Sequence, residues 1–266
     1  MNSSNQTQPI SNEKVLTEKE LQQLLEVDSP TVANVIELFN LRSRVAGFTN
    51  HTLKAIYPKL VPVVGYAVTA TFRSGYPAEN SDSYLGMGSL IQNTSSTPSP
   101  KIMVIQDMDE IPRSATYGEV MATAFKKFSF SGLITSGAGR DIEQVRQLNF
   151  PCWASSILVS HGYCHFVDSQ LPVVVGGLQV HPGDLIHADG NGIVNIPNNI
   201  ASQVAALCQP FIGAEQQVLD YLNSPNPTTI GYAELMKKMR AEIIKDNFVD
   251  WSEKFISKYE GNRWIK

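Results

Sequence analysis

Arg140 and Asp141 are the residues whose types and position most directly suggest chemistry. They follow Gly137-Ala138-Gly139 and begin the amphipathic segment 141–148, whose apolar residues recur at helical spacing. The glycines allow a sharp turn and a close approach to a ligand. A guanidinium can form paired hydrogen bonds with a carboxylate, an aspartate can hold a hard cation, and a helix N-terminus favours anions. The stretch therefore predicts a site for a substrate with adjacent carboxylate and keto oxygens.

Two simpler interpretations of this stretch remain open. A glycine-rich turn between a strand and a helix also occurs in dinucleotide-binding proteins, but Ile142 stands where the third glycine of that motif is required. Alternatively, Asp141 only caps the helix and Arg140 forms a surface ion pair. A second motif upstream favours the substrate site over both.

That upstream motif is Glu119, an acidic residue in the first turn of another predicted helix. Gly118 precedes it and lets the chain enter the helix at close quarters. Twenty residues separate Glu119 from Arg140, enough for one helix, one strand near 132–136 and the return turn. A unit of this length can bring both helix N-termini to the same edge of a sheet. We therefore expect Glu119, Arg140 and Asp141 to share a site.

Several segments of the chain resemble the RraA-like family. This family includes the class II 4-hydroxy-4-methyl-2-oxoglutarate aldolases, which also decarboxylate oxaloacetate, and the protein regulator of ribonuclease E. The acidic residue, the twenty-residue gap and the Arg-Asp pair are similar to the family's signature. Further similar runs span 64–69, 148–154 and 175–194, so the resemblance covers about residues 28–200.

Several positions depart from the family's usual pattern, among them Ala33-Asn34, which replaces a frequent Ser-Asp. Glu119 stands where the family often has Asp, Ser136 where it commonly has Asp, and Gly139 where a larger residue is common. None of these changes removes Arg140 or Asp141. They bear on the identity of the substrate more than on the metal chemistry.

The resemblance implies an α/β fold, namely a swivelling β/α/β sandwich of the RraA-like type. It implies assembly as a homotrimer or hexamer with sites between subunits. It also implies a metal-dependent lyase that cleaves a C–C bond of a small 2-oxo acid through a pyruvate enolate. The reaction would be retro-aldol cleavage that releases pyruvate, or decarboxylation of oxaloacetate.

The resemblance further implies a role for each residue of the predicted site. Asp141 would be the metal ligand, for Mg²⁺ or Mn²⁺. Arg140 would hold the substrate and offset charge on the forming enolate, and Glu119 would orient a water that shuttles a proton. The helix N-terminus would bind the substrate carboxylate through the amides of Gly118, Glu119, Val120 and Met121.

Two other classes of function stay open. One is a non-catalytic, protein-binding regulator of the ribonuclease E inhibitor type. The joint presence of Glu119, Arg140 and Asp141 argues against it, because a binding surface does not need a metal constellation. The other is a lyase or hydrolase that uses the same metal site on a sugar-acid-like substrate, and nothing in the sequence separates it from an aldolase.

Composition and charge restrict the partners. The 266 residues are 42% hydrophobic and 17% charged, which is typical of a folded chain. The net charge is −4 and no long basic run occurs, so direct binding of nucleic acid is not expected. The N-terminus has no secretory pattern and no stretch is long enough to span a bilayer, which predicts a cytoplasmic protein without a membrane partner.

The cysteines and histidines give weaker signals. Three cysteines form no plausible disulfide framework and fit a reducing compartment. His161, Cys164 and His165 have a spacing that resembles part of a zinc site, but a fourth ligand is not evident apart from Cys152. We favour half-buried strand residues there. The sequence does not determine whether His161, His165 or His187 reaches the predicted site.

The chain divides into three predicted regions. Residues 1–12 are polar and predicted to be disordered, residues 13–223 form the α/β catalytic domain, and residues 224–266 form a C-terminal helical extension after the proline-rich break at 223–227. The domain begins with a helix that is opened by a capping-box pattern at 17–20. The extension's apolar stripe packs either on its own subunit or on a neighbour. Its residues are Leu235, Met236, Met239 and Ile243.

Overall fold

The computed structural model of the chain describes residues 15–78, 86–239 and 241. Its helices are α1 (Glu18–Leu25), α2 (Ser29–Leu38), α3 (Met87–Gln92), α4 (Glu119–Lys127), α5 (Ile142–Gln147) and α6 (Ala201–Leu222), with a 3₁₀ turn at Asn198–Ile200. Residues 229–239 are also helical.

The strands form one large and two small sheets. They are β1 (Lys54–Ala55), β2 (Val63–Arg73), β3 (Lys101–Asp107), β4 (Ala115–Tyr117), β5 (Phe130–Thr135), β6 (Ala138–Gly139), β7 (Cys152–Ala154), β8 (Ser156–Ile157), β9 (His165–Ser169), β10 (Val173–Val175), β11 (Leu178–Val180), β12 (Leu185–Asp189) and β13 (Gly192–Ile196).

The large sheet has the order β1-β7-β5-β3-β2-β12-β13, with β9 also paired to β2. Its centre, from β7 to β2, is parallel, and β12, β13 and β9 are added antiparallel. The central strand β2 is almost entirely buried, as expected for an apolar strand covered on both faces. The predicted α/β fold is confirmed.

Three apolar clusters hold this sheet in place. The first joins α1, α2 and α6 to β2, β12 and β13, and the second packs α4 and α5 against β2, β3 and β5. The third lies between the large sheet and the β10–β11 hairpin. The helix α4 thus stands on a rigid base, with Phe125 fully buried in the second cluster.

Most predicted elements of the core are present. Thr17 and Glu20 form the predicted capping box, and Asp28 caps α2 with Pro30 in its first turn. Consecutive short strands fill 152–196, as the turn-rich sequence indicated. Among the described residues, no helix has the length and apolarity needed to cross a membrane.

The C-terminal segment is helical over 229–239, as predicted. Met239 packs against the first cluster of its own chain, so at this residue the segment contacts its own subunit. The predicted tail at 1–12 and Ile243 lie outside the described residues.

A buried histidine connects the N-terminal helices to β12. Nε2 of His187 lies 3.0 Å from the carbonyl oxygen of Leu24 and 3.1 Å from that of Val27, so this nitrogen carries the proton. Nδ1 then accepts from the Ser29 hydroxyl at 3.0 Å. The Ser29 amide also donates to the Asp189 carboxylate at 2.7 Å. His187 is therefore structural, and burial lowers its pKa.

Replacing Ser29 with alanine is expected to lower the free energy of unfolding by about 1–3 kcal/mol, because Nδ1 of the buried His187 loses its donor. Urea unfolding at pH 7.5 measures this change. Ser89→Ala, in α3 with an exposed side chain, is the matched control and should change the stability little. Equal effects of the two substitutions would contradict the hydrogen-bonding role of Ser29.

Candidate functional site

The predicted site residues meet at the edge of a small parallel sheet. The strands β4, β6 and β8 pair in that order, and β4 and β6 run parallel. Gly118 and Glu119 follow β4, whereas Arg140 and Asp141 follow β6. The Arg140 amide donates to the Tyr117 carbonyl at 3.0 Å, which fixes the two strand ends side by side. The structure thus brings Glu119, Arg140 and Asp141 together.

Asp141 links the two helix starts. Its Oδ2 accepts a hydrogen bond from the Glu119 amide at 3.0 Å and lies 3.6 Å from Nε of Arg140. Asp141 occupies the N-cap position of α5 but makes no side-chain cap to that helix. Its carboxylate instead caps α4. The interpretation of Asp141 as a helix cap is therefore correct in part, because Asp141 caps α4 and not its own helix α5.

The backbone of this loop bends at Ser136 and Gly137, where the sequence predicts a turn at the glycines. Gly137 and Gly139 do not have positive φ values, and Gly139 is part of β6. The left-handed residue is Asp141, with φ 55° and ψ 46°. Aspartate tolerates this conformation better than most side chains, because its short polar group can bond locally. The chain therefore bends at Gly137 as predicted, and Asp141 is the residue of this loop that adopts the left-handed conformation.

Gly118 and Gly139 are needed for close packing. A Cβ on Gly139 would lie 2.6 Å from Cζ of Tyr117. A Cβ on Gly118 would collide with Oδ2 of Asp141 and lie 3.0 Å from Nε of Arg140. Because this space is filled, Gly118 lets the carboxylate of Asp141 reach the first amide of α4.

The side chains differ in their access to solvent. Those of Arg140 and Asp141 are 28% and 33% exposed, so both can reach a ligand while remaining partly desolvated. Glu119 and Val120 are exposed, and the Met121 side chain is buried. Val120 and Met121 can therefore contribute to binding through their amides, which lie in the first turn of α4 and have no acceptor within the helix. The Glu119 amide is already engaged by Asp141.

A shallow depression lies beside Arg140 and the first turn of α4, and Glu119 and Asp141 are not among the residues that line it. Its lining includes Gly118, Val120, Met121 and Arg140, which were predicted, and also Thr116, Ala115, Tyr117, His161 and Cys164, which were not. Of the three histidines that the sequence could not place, His161 lines the depression beside the predicted site. His165 lies on β9, and its Nδ1 contacts the Tyr163 carbonyl.

The partial zinc motif does not assemble. Within residues 15–78, 86–239 and 241, no three His, Cys, Asp or Glu side chains come together as a metal cluster. The side chains of Cys152, Cys164 and Cys208 are buried and are not joined in disulfides. Burial raises the pKa of Cys208 to about 12, which keeps it protonated at neutral pH.

Two contacts that the sequence did not reveal support the site. The Tyr57 hydroxyl donates to the Ile142 carbonyl at 2.8 Å, which anchors the first turn of α5 beside Asp141. Asp107, at the end of β3, is buried next to Thr116, and burial raises its pKa to about 6. The position of Asp107 at the end of the apolar strand β3 was a signal for an acidic residue at the sheet edge, but not for its burial.

The donor set suits a cation that keeps most of its water. Asp141 offers a carboxylate whose Oδ2 is engaged, and no described residue donates a hydrogen bond to its Oδ1. Mg²⁺ commonly binds through one or two carboxylates, several waters and the substrate. Asp141 alone fits that mode of binding, whereas a closed site made only of protein ligands is not formed by the described residues.

The chain belongs to the RraA-like family, whose profile, described as Aldolase/RraA, matches residues 32–195. A protein of Halalkalibacterium halodurans named "Putative 4-hydroxy-4-methyl-2-oxoglutarate aldolase" is 28% identical over 100 residues, 37% of this chain and 48% of that protein. Protein DlpA of Legionella pneumophila is 28% identical over 109 residues, 40% of this chain and 18% of that protein. The chain thus spans less than half of the length of these two curated relatives.

A solved structure supports the same fold. The structure of Streptomyces coelicolor RraAS2, described as an unusual member of the RNase ES inhibitor RraA protein family, superposes with a TM-score of 0.59 at 20% identity. The match covers 78% of this chain and 98% of that one. The RraA-like fold predicted from the sequence is confirmed, and at this identity the similarity concerns the fold alone.

Proposed function

We propose that this protein is a divalent-metal-dependent lyase that cleaves a C–C bond of a small 2-oxo acid through a pyruvate enolate. The observation that carries the proposal is the junction at Asp141, where a carboxylate, the Arg140 guanidinium and the N-terminus of α4 share one partly exposed edge. A carboxylate and a keto oxygen on adjacent carbons match this set of groups in charge and spacing.

Asp141 would hold Mg²⁺ or Mn²⁺ through Oδ1, with water completing the coordination. When bound, the metal supplies Lewis-acid stabilisation of negative charge on the substrate oxygen. Asp141 keeps its orientation for this role because Oδ2 is fixed by the Glu119 amide. This role matches the one that the resemblance implied.

The protein groups around the metal would bind and orient the substrate. Arg140 would hold the carboxylate and keto oxygens and offset charge on the enolate. The amides of Val120 and Met121 would bind the carboxylate at the positive end of α4. Glu119 is exposed in the first turn of α4, where it would orient a water for proton transfer.

The test is pyruvate release across a panel of 2-oxo acids that includes oxaloacetate and 4-hydroxy-4-methyl-2-oxoglutarate. We expect release that requires Mg²⁺ or Mn²⁺ and stops when a chelator is added. Release that continues undiminished with the chelator would contradict the metal mechanism. No release from any 2-oxo acid would favour the regulator or the sugar-acid alternative.

Assembly as a trimer or hexamer is part of the proposal. Exposed apolar side chains occur at the depression and in the segment 157–163, which carries its lining residue His161, a pattern typical of a contact surface. They are Val120, Ile157, Val159 and Tyr163, which are 70%, 56%, 92% and 55% exposed. A neighbouring subunit that covers them would also close the depression and exclude water from it.

Deleting residues 228–266 is expected to leave the number of subunits unchanged and to lower the melting temperature. The reason is that Met239 packs against the first apolar cluster of its own chain, whose residues do not line the depression. Light scattering and thermal unfolding of the truncated protein measure the two effects. A shift to a smaller species would show that the segment instead crosses a subunit boundary.

A further inference from the structure

Buried polar atoms without hydrogen-bond partners gather behind the candidate site. Among the described residues, they include Oδ2 of Asp107 and Oγ1 of Thr116. Asp107 is 7% exposed and Thr116 is 1% exposed. The Thr116 hydroxyl is nevertheless close enough to the Asp107 carboxylate to favour its ionised form, so the two buried groups interact with each other.

Both atoms lie against Gly137, at the start of the loop that carries Arg140. A Cβ on Gly137 would collide with Oγ1 of Thr116 and lie 2.7 Å from Oδ2 of Asp107. Only a glycine fits here, because the side chains of Thr116 and Asp107 already fill this space. Thr116 also belongs to the lining of the depression that contains Arg140. Thr116 therefore lies between the buried carboxyl group and the candidate site.

The rest of Asp107 is firmly held. Its Oδ1 accepts from the Asp109 amide at 3.0 Å, and its own amide donates to Oγ of Ser136 at 2.9 Å. These bonds leave Oδ2 directed toward Thr116, where the hydroxyl influences the carboxylate. The charged groups that face Asp107 are Asp109, which disfavours its ionised form, and Arg73, which favours it.

We infer that Asp107 exchanges a proton with the methyl carbon of the pyruvate product through the Thr116 hydroxyl and a water in the depression. This inference rests on the proposed lyase function and adds an internal proton carrier to it. Burial raises the pKa of Asp107 to about 6, so the carboxylate is mostly ionised at neutral pH but close enough to its pKa to take up a proton.

The exchange step balances as follows. The C3–H bond breaks, its electron pair forms the C2–C3 double bond, and the C2 carbonyl oxygen takes the negative charge. The proton passes to the water, the water gives a proton to Thr116, and the Thr116 hydroxyl proton passes to Asp107. The reverse sequence delivers a proton to C3, which completes pyruvate formation after C–C cleavage.

Exchange of the C3 protons of pyruvate for deuterium, followed by NMR with Mg²⁺ present, tests this step without a cleavable substrate. In the wild-type protein the rate should rise with pH through about 6 and then level off, because the acceptor is the ionised form of Asp107. Asp107→Asn should lose this inflection and exchange at least about tenfold more slowly. An unchanged pH profile in that variant would overturn the inference.

Variants of Thr116 separate the relay from a structural role. Thr116→Val has nearly the same shape but no hydroxyl, and should slow exchange, whereas Thr116→Ser keeps the hydroxyl and should restore it. Equal exchange by the valine and serine variants would overturn the relay. Circular dichroism confirms that each variant is folded before its rate is compared.

The failure of the relay and the failure of the lyase are distinguishable. If the wild-type protein releases pyruvate from 2-oxo acids but does not exchange the C3 protons, the relay is overturned and the lyase stands. If it neither releases pyruvate nor exchanges its protons, both proposals are overturned.

Discussion

Replacing Asp141 with alanine is expected to reduce the rate of pyruvate release by at least about 10²–10³-fold and to abolish binding of Mg²⁺ or Mn²⁺. The substitution removes the proposed metal ligand and also the acceptor for the Glu119 amide. Activity at a series of metal concentrations, with metal binding measured by calorimetry, gives both quantities.

Asp141→Asn separates these two losses. The asparagine oxygen can still accept from the Glu119 amide, but the charge that attracts the cation is gone, so the fold should be kept while activity is lost. Glu143→Ala, an exposed carboxylate in the first turn of α5, is the matched control and should keep wild-type activity. A fully active Asp141→Ala variant would contradict the metal mechanism.

Arg140→Lys is expected to weaken substrate binding and turnover together, with a loss of about 10²–10³ in kcat/KM. Lysine keeps the positive charge but cannot form two parallel hydrogen bonds to a carboxylate. Steady-state kinetics with saturating Mg²⁺ measures the loss.

Arg146→Lys is the control for Arg140. Arg146 lies on the same helix α5, is exposed and pairs with Glu143 at 2.8 Å, so the substitution should change kcat/KM little. If Arg140→Lys behaved like this control, paired hydrogen bonding by Arg140 would not contribute to the reaction.

The meeting of Glu119 with Arg140 and Asp141 could be predicted from the sequence. Residue types and spacing sufficed, because a helix and a strand between two parallel strand ends return the chain to the same sheet edge. The amphipathic patterns of α4 and α5 and the glycine at 118 were also readable. Here local chemistry and chain geometry agree, which is why a single sequence was informative.

The hydrogen bonds and strand pairings within the site could not be predicted. That Asp141 caps α4 rather than its own helix depends on a left-handed backbone at Asp141 and on the tertiary approach of Gly118. The pairing of Ala138–Gly139 as strand β6 depends on β4 and β8 on either side. Such contacts join distant parts of the chain, and the periodicity of apolar residues does not predict them.

The buried polar groups were harder still to assign. Nothing in the local sequence of Asp107 distinguishes a desolvated carboxyl group from an exposed one, since its burial comes from β3, β4 and the loop at Gly137. His187 differs from Asp107, because its partners are the Ser29 hydroxyl and the Leu24 carbonyl, and neither residue lines the depression. The fold alone decides which titratable group is buried beside the site and which is held elsewhere.

Paramagnetic relaxation by Mn²⁺ of the carbon nuclei of labelled pyruvate tests most directly whether metal and 2-oxo acid bind together at Asp141. In the wild-type protein, the carboxylate and keto carbons should relax much faster when Mn²⁺ is bound. In Asp141→Asn this enhancement should disappear, while Glu143→Ala should retain it. Equal relaxation in the wild-type and Asp141→Asn proteins would contradict the placement of the metal and the substrate at this site.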